Sequence, residues 1–161
     1  MPVSKVFFRG EHTRTLDERH RLSLPGDWAD SLVAESAECI LAKERPGCLS
    51  LWNAAEWEAK LEARVELIEQ KLRLGELDRR INQVQMFGRL LSTRQRRVQL
   101  AGRGRLLVPE GFREFLGVEP GGGVLAVGAA VCVEIWNPAA WVRYLEGRIV
   151  RFRRLFDHLA R

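Results

Sequence analysis

Two segments of this chain carry arginines at matching positions, and the residues around these arginines also match. In the first segment Asp17 precedes Arg19 and Arg21, and in the second segment Arg103 and Arg105 occupy the positions of these two arginines. A guanidinium carries a planar fork of N–H donors that matches phosphate oxygens and the edge of a guanine. A carboxylate four residues before an arginine can hold this fork in one orientation, so the pattern predicts a contact with phosphates or bases.

A purely structural explanation of the first place remains open. Asp17 and Arg21 could form a surface ion pair that pins a turn, worth about 0–1 kcal/mol. The second place favours the ligand-binding interpretation, because it keeps both arginines although Ala101 replaces the acid. An ion pair that served only to hold a turn would not require both arginines to be kept once the acid is lost.

Catalytic and metal-binding patterns are not evident. The three histidines are scattered, and no carboxylate or cysteine accompanies them at catalytic or metal-ligand spacing. The glycines at 121–123 lack the Lys-Ser/Thr ending of a phosphate-binding loop and are better explained as a turn. We therefore expect no enzymatic activity, no cofactor, no metal and no small-molecule substrate.

The chain contains an internal repeat. Residues 16–64 align without a gap to residues 100–148, and 17 of these 49 positions are identical. A chain of 161 residues is long enough for two units of this size. Each unit would bury only a modest part of its surface alone, so each needs the other half or another copy as a partner.

The chain is basic and its basic residues are mainly arginine. The net charge is +5, with 22 arginines and 4 lysines among its residues. A GC-rich genome also raises the ratio of arginine to lysine, but it does not explain the net charge. The arginines cluster at 94–105 and at 148–154, which suggests a negatively charged partner such as nucleic acid.

Cysteine usage and hydropathy predict a cytoplasmic protein. Three cysteines without a Cys-x-x-Cys spacing fit neither a disulfide framework nor a zinc ribbon. The first 30 residues carry too many charges for a signal peptide. No apolar run approaches the roughly 18 residues that would span a bilayer, so we expect no membrane association.

Each repeat is predicted to form, in this order, a strand, a polar turn, a second strand, a short helix, two further strands and a long helix. The predicted strands are 3–8, 13–16, 21–24, 38–42, 49–52, 123–127 and 131–136, and the predicted helices are 26–33, 53–72, 110–116 and 139–160. Asn53 and Asn137 stand at helix N-cap positions. The helical pattern resumes from Leu77 to Leu91. The strand-rich order indicates an α+β fold with units 1–76 (core about 8–55) and 77–161 (core about 92–139).

Other basic and aromatic groups have simpler explanations. Arg94, Arg96 and Arg97 fit either a solvated surface or a second contact region. Arg148, Arg151 and Arg154 recur at helical spacing and are better explained as a solvated helix face. The Trp pairs of the two repeats are Trp52 with Trp57 and Trp136 with Trp141. They predict packing in a core or an interface.

The first motif, Leu16-Asp-x-x-x-Arg-Leu-Ser-Leu-Pro25, followed by a short helix and then repeated, resembles the MraZ family. The resemblance extends over nearly the whole chain. It implies tandem, pseudo-symmetric AbrB/SpoVT-like β units, of the swapped-hairpin or double-psi type, with flanking helices. It also implies a nucleoid-associated transcriptional regulator that assembles as a ring-shaped homo-oligomer. Such a ring would bind spaced promoter repeats of double-stranded DNA in a division and cell-wall gene cluster.

The resemblance assigns DNA contacts residue by residue. Asp17 and Arg21 match the Asp-x-x-x-Arg motif, and Arg105 matches its arginine in the second repeat. We add Arg19 and Arg103 from the same loops, and Arg14 from the strand before the first motif. The chain departs from the family pattern at Ala101, where an acid is expected, and at His20, where glycine is usual.

Two other functions remain open at this point. An oligomer with a basic face could bind an acidic protein, and the altered second motif supports this alternative. AbrB-like units also act as antitoxins.

Overall fold

The computed structural model describes residues 6–34 and 36–161, and it has the α+β composition that the sequence predicts. Residues 3–5 of the predicted opening strand at 3–8 lie outside these residues, and at 6–8 only Phe8 forms an isolated β-bridge, to Ala130. The strands are β1 Glu11–Thr15, β2 Arg21–Ser23, β3 Glu38–Arg45, β4 Cys48–Asn53, β5 Gln95–Gln99, β6 Arg105–Leu107, β7 Gly123–Gly128 and β8 Val133–Trp136. The helices are α1 Gly26–Leu32, α2 Ala54–Arg73, α3 Ile81–Thr93, α4 Arg113–Leu116, α5 Pro138–Leu145 and α6 Phe152–Leu159.

The two repeats share one six-stranded antiparallel sheet with the strand order β1-β7-β8-β4-β3-β5. β1 of the first repeat pairs with β7 of the second, and β5 of the second pairs with β3 of the first. The repeats therefore exchange their first strands about an approximate two-fold axis between β4 and β8. The predicted boundary between 1–76 and 77–161 falls in the connection between α2 and α3 and stays a prediction, although the sheet itself crosses it.

The positions of the strands in the sheet explain their sequences. β3 and β4 are central and buried along most of their length, which accounts for their nearly continuous apolar residues. β1 is an edge strand whose residues alternate between exposed and half-buried positions. The alternation lets this strand present polar side chains to solvent while it completes the sheet.

The second sheet is a two-stranded antiparallel ribbon made of β2 and β6. Leu22 lies opposite Leu106, Arg21 opposite Leu107, and Ser23 opposite Arg105. The Leu24 N–H donates to Gly104 O at 2.9 Å, and the Val108 N–H donates to His20 O at 2.9 Å. These two hydrogen bonds extend the ladder of the ribbon symmetrically at both ends. Each repeat contributes one of the two strands.

This ribbon corrects the expectation that strands 13–16 and 21–24 form a local hairpin around their polar turn, and that the segments around the equivalent turn at 101–104 do the same. β1 and β2 are joined by a tight turn, but β1 pairs with β7 and β2 with β6. The cross-repeat pairing prevails because it turns Leu22 and Leu106 into the core, where they are 2% and 0% exposed. A local hairpin would offer each leucine no such partner.

The two repeats build one hydrophobic core. Its buried members include Leu16, Leu22, Leu24, Trp28, Leu32, Leu41, Leu49, Leu51, Leu106, Val108, Phe112, Leu116, Val124, Val133 and Ile135. Residues of both repeats occur throughout this set. Each half therefore supplies the apolar partner that a small unit needs.

Asn53 and Asn137 have the same two roles in their repeats, which confirms the predicted helix N-caps. The Oδ1 of Asn53 accepts from the Glu56 N–H at 3.2 Å, and its Nδ2 donates to Leu32 O at 3.0 Å. The Oδ1 of Asn137 accepts from the Ala139 N–H at 2.9 Å, and its Nδ2 donates to Leu116 O at 3.2 Å. Each asparagine thus caps the start of one helix and ties it to the preceding short helix.

The prediction of one final helix over 139–160 was wrong. α5 ends at Leu145, Gly147 has a φ of +74°, and a 3₁₀ turn at Ile149–Arg151 precedes α6. A left-handed glycine ends an α-helix because its N–H turns back toward the last carbonyls. The apolar periodicity of the sequence continues across this break and does not reveal it.

Gly104 lies at a close contact between the repeats, and this generates a prediction. A Cβ at this position would lie 2.7 Å from the Cβ of Ala29 on α1, and its φ is +71°. Gly104→Ala should lower the free energy of unfolding by about 1–3 kcal/mol, through overpacking and left-handed strain. Gly102→Ala is the matched control, because nothing lies within 4 Å of a Cβ there. Chemical denaturation measures both variants, and equal losses would contradict this account of the contact.

Candidate nucleic-acid interface

Asp17 organises the first arginine loop. Its Oδ1 accepts from the Arg19 N–H at 2.8 Å and from the Arg21 N–H at 2.9 Å. Its Oδ2 accepts from Arg21 Nε at 3.0 Å. One carboxylate therefore fixes both the backbone of the loop and the direction of the Arg21 guanidinium.

These hydrogen bonds lower the pKa of Asp17. The largest contribution is the backbone N–H of Arg21, followed among the favourable ones by the Arg19 N–H and the Arg21 side chain. Each donor stabilises the charged form of the carboxylate. Asp17 therefore remains ionised throughout the neutral range and keeps Arg21 oriented there.

The second loop has the same length and the same two closing backbone hydrogen bonds as the first, but its backbone differs at Arg103. The Ala101 N–H donates to Arg105 O at 2.9 Å, and Ala101 O accepts from the Gly104 N–H at 3.1 Å. Arg103 has a φ of +66°, whereas the equivalent Arg19 does not enter the left-handed region. Ala101 has no side-chain acceptor for the amides that Asp17 holds in the first loop. The loss of the acid thus coincides with a different loop conformation.

His20 adopts the backbone that a glycine takes in the second repeat. Its φ is +61°, close to the +71° of Gly104 at the equivalent position. Histidine is among the non-glycine residues that are found more often in this region. The departure from the family pattern at His20 therefore leaves the left-handed backbone at this position unchanged.

Arg21 and Arg105 project from the same outer face of the ribbon. In an antiparallel pair, directly opposed residues point to the same side and their neighbours point to the other. Leu22 and Leu106 face the core, so Arg21, Ser23, Arg105 and Leu107 face outward. Arg21 and Arg105 are diagonal neighbours on this face, with an expected separation of about 7–8 Å. The cross-repeat pairing thus brings the predicted arginines of both motifs together.

The other predicted contact residues lie around this face. Arg19 and Arg103 are exposed in the two loops. Arg14 is half-buried and bonds to backbone, since its Nε donates to Ser23 O at 2.8 Å and its Nη1 to Thr13 O at 3.0 Å. Arg14 thereby ties β1 to β2 beside the outer face. Its proposed DNA contact stays a prediction.

Sequence reasoning missed Ser23 and Leu107 as outward members of the site. The alternation of Arg21, Leu22, Ser23 and Leu24 contains the signal, because it places positions 21 and 23 on one side of a strand. The same alternation runs from Arg105 to Val108. Recognising a shared face also required knowing that the two segments pair with each other.

Two of the three arginines at 94–97, Arg94 and Arg97, form ion pairs within the fold. Arg94 pairs with Glu44 at 3.5 Å and its Nε donates to Lys43 O at 2.9 Å. Arg97 pairs with Glu38 at 2.7 Å and also with Glu58. Partial neutralisation by these carboxylates favours a structural role for both residues over a second ligand contact.

The described residues hold no group of three or more His, Cys, Asp or Glu side chains placed to bind a metal ion.

Burial raises the pKa of the Cys39 thiol to about 11 and that of Cys132 to about 12. Burial also raises the pKa of Cys48. These thiols therefore stay protonated at neutral pH, which makes them poor nucleophiles. Among the helices in residues 6–34 and 36–161, none combines the length and apolarity needed to cross a bilayer.

Comparison with known proteins identifies the family. A family model described as "MraZ protein, putative antitoxin-like" matches residues 7–74 and 93–154. The chain belongs to the MraZ family. The two matched segments correspond to the two repeats, and both arginine loops fall inside them. The unmatched stretch between them contains most of α3 and its connection to α2.

Similar proteins in this family carry the name "Transcriptional regulator MraZ". The protein of Thioalkalivibrio sulfidiphilus is 32% identical over 139 residues, which covers 84% of this chain and 83% of that relative. The protein of Thiobacillus denitrificans is 32% identical over 136 residues, covering 83% of each. The protein of Syntrophomonas wolfei is 26% identical over 152 residues, covering 94% of this chain and 96% of the relative. These names describe regulators of transcription and not enzymes.

Asp17 generates a pH-dependent prediction. Asp17→Ala should lower the melting temperature at neutral pH, because it removes the acceptor of three hydrogen bonds. The folded pKa of Asp17 is lowered, so its stabilisation is present above the unfolded pKa of about 3.9 and is lost as pH falls through the folded pKa. The difference in melting temperature between Asp17→Ala and the unmodified protein should therefore be constant from about pH 5 to 8, which lies above both the folded and the unfolded pKa of Asp17. This difference should become smaller at acidic pH.

Glu18→Ala is the control for this prediction, since Glu18 is the exposed carboxylate next to Asp17. Its melting temperature should follow that of the unmodified protein at every pH. A gap between Asp17→Ala and the unmodified protein that stays constant down to the lowest pH would contradict the role of the ionised carboxylate.

Proposed function

We propose that this protein is a sequence-specific, double-stranded DNA-binding transcriptional regulator. It acts as a ring-shaped homo-oligomer on repeated promoter boxes of a division and cell-wall gene cluster. The observation that carries the proposal is the common outer face of Arg21 and Arg105 on the β2–β6 ribbon. The names of the related proteins support it, since they are regulators of transcription.

The ribbon suits the major groove of B-form DNA. That groove is about 12 Å wide and admits a two-stranded β-ribbon. Arginine most often reads guanine there, through O6 and N7. In the proposed complex Arg21 and Arg105 reach base edges, while Arg19 and Arg103 in the flanking loops contact phosphates, which position the ribbon without reading sequence.

A single ribbon offers few contacts, so tight binding requires several ribbons on spaced boxes. Linked binding events raise overall affinity by about 10²–10⁴ without any new contact. The chain has a surface suited to self-assembly on α6. Phe152, Leu155, Phe156 and Leu159 form one apolar face at helical spacing and are 55–74% exposed. An apolar face of this kind marks an interaction surface.

The proposed location is the cytoplasm, in association with the nucleoid, and no enzymatic step belongs to the proposed function. The alternative is an oligomeric protein-interaction or antitoxin-like protein with weak or no specific DNA binding. The absence of an acid at Ala101 and the exposed face of α6 favour it. Capture of a protein partner, together with no binding to the DNA upstream of its own gene, would support this alternative.

Arg21→Ala tests the proposed contact. It should weaken binding to DNA upstream of the gene by at least about fivefold, the lower end of the effect of losing one bidentate base contact. Lys60→Ala removes a positive charge from α2, away from the ribbon, and should change affinity little. Gel-shift or anisotropy titrations measure both variants. Equal effects would exclude the ribbon from the site.

Salt dependence distinguishes phosphate contacts from other binding. The logarithm of the binding constant should fall linearly with the logarithm of salt concentration, by about 0.9 for each phosphate neutralised. If each arginine contacts one phosphate, Arg19→Ala or Arg103→Ala should make this slope shallower by about 0.9. A flat response of the unmodified protein would rule out the proposed function.

Self-assembly generates a separate prediction. Phe156→Glu places a charge in the centre of the apolar face of α6 and should reduce the molar mass measured by light scattering. Arg154→Glu introduces the same side chain on the polar face of that helix and should leave the mass unchanged. If both variants keep the mass of the unmodified protein, α6 is not the assembly surface.

A further inference from the structure

Leu107 is an apolar side chain on the proposed DNA-contacting face, beside both of its arginines. It is 49% exposed, whereas its neighbours Leu106 and Val108 are fully buried. It lies directly opposite Arg21 in the ribbon and two residues beyond Arg105 on the same strand. Leu107 therefore projects to the outside next to both proposed base-reading arginines, and it is not a member of the buried core.

The internal repeat shows that this leucine is specific to one half of the ribbon. Leu107 is equivalent to Ser23, which lies opposite Arg105 on the same face. A serine hydroxyl can donate or accept a hydrogen bond with any base. A leucine can do neither, so its contribution at a base edge must come from an apolar contact.

The major groove displays one apolar group, the C5-methyl of thymine. We propose that Leu107 is a specificity-determining residue that packs on a thymine methyl next to the base contacted by Arg21. This inference rests on the proposed DNA-binding function and adds a preference that the arginines alone do not provide. Because Ser23 lies at the equivalent position in the other half, the two halves of the ribbon contact different bases. The protein therefore distinguishes the two orientations in which a promoter box can lie on the DNA.

The contact between Asp17 and Arg21 fits this assignment. Asp17 holds Arg21 Nε at 3.0 Å, which keeps the guanidinium near the loop. A guanidinium held through Nε presents its two Nη groups in one direction, as a bidentate base contact requires. Leu107 lies directly opposite Arg21 and is therefore placed beside the base that Arg21 contacts.

Replacing thymidine by deoxyuridine tests the proposal, because it removes only the methyl group. A duplex is first selected by the unmodified protein from a random-sequence library. It is then resynthesised with deoxyuridine at each thymidine position in turn. The unmodified protein should lose about fourfold in affinity at one position of each box, the expected effect of one buried methyl. Leu107→Ser should bind the thymine and uracil duplexes equally well.

Two further variants serve as controls. Leu107→Met keeps an apolar side chain and should retain the preference for thymine at that position. Ser23→Ala alters the equivalent place in the other half and should leave the thymine-to-uracil ratio unchanged. The melting temperature of each variant shows whether the fold is intact, and light scattering shows whether the number of subunits has changed.

The outcomes separate this inference from the proposed function. Absence of any selected duplex would overturn both. Selection of a duplex whose binding depends on Arg21 but not on any thymine methyl would overturn the role of Leu107 alone. A methyl preference that persists in Leu107→Ser would assign the contact to another residue. A change of subunit number in Leu107→Ser would show that this leucine packs against another copy, and would also overturn the inference.

Discussion

The pairing of β2 with β6 is the interaction on which the rest of the structure depends. It turns Leu22 and Leu106 into the shared core and thereby directs the alternate residues of both strands outward. Backbone bonds from Leu24 to Gly104 and from Val108 to His20 continue the ladder at its ends. Because each repeat supplies one strand, neither half alone could present this face. The outer surface with Arg21 and Arg105 therefore follows directly from how the two halves fold together.

The two-fold symmetry of this face is approximate, and the departures from it lie at the site. Asp17 fixes the first loop through three hydrogen bonds, whereas Ala101 leaves the second loop in another conformation with Arg103 at positive φ. Ser23 and Leu107 differ in the same way across the ribbon. The core positions Leu22 and Leu106, by contrast, are identical. Packing thus preserves the shared scaffold, while the exposed positions have diverged to give a surface with two distinct halves.

Much of this fold could be predicted from local patterns. The Asn53 and Asn137 caps, the short helix after Pro25 and the α+β order all depend on neighbouring residues, and the structure confirms them. The helix predicted at 110–116 begins only at Arg113. The partners of β1 and β2 could not be predicted, because these strands pair with residues 82–116 positions away and such pairing leaves no trace in the local sequence. For the same reason the sequence identified Arg21 and Arg105 separately but missed Ser23 and Leu107. The break at Gly147 was missed because the apolar spacing continues through it.

The central claim is that both arginine loops and the ribbon between them form one DNA-contacting surface. Hydrogen–deuterium exchange of the full-length protein, with and without DNA from upstream of its gene, measures this most directly. The account predicts that peptides covering 16–24 and 100–108 both exchange more slowly when DNA is bound, while peptides from α2 and α3 are unchanged. Protection confined to other segments, or to only one of the two loops, would contradict it.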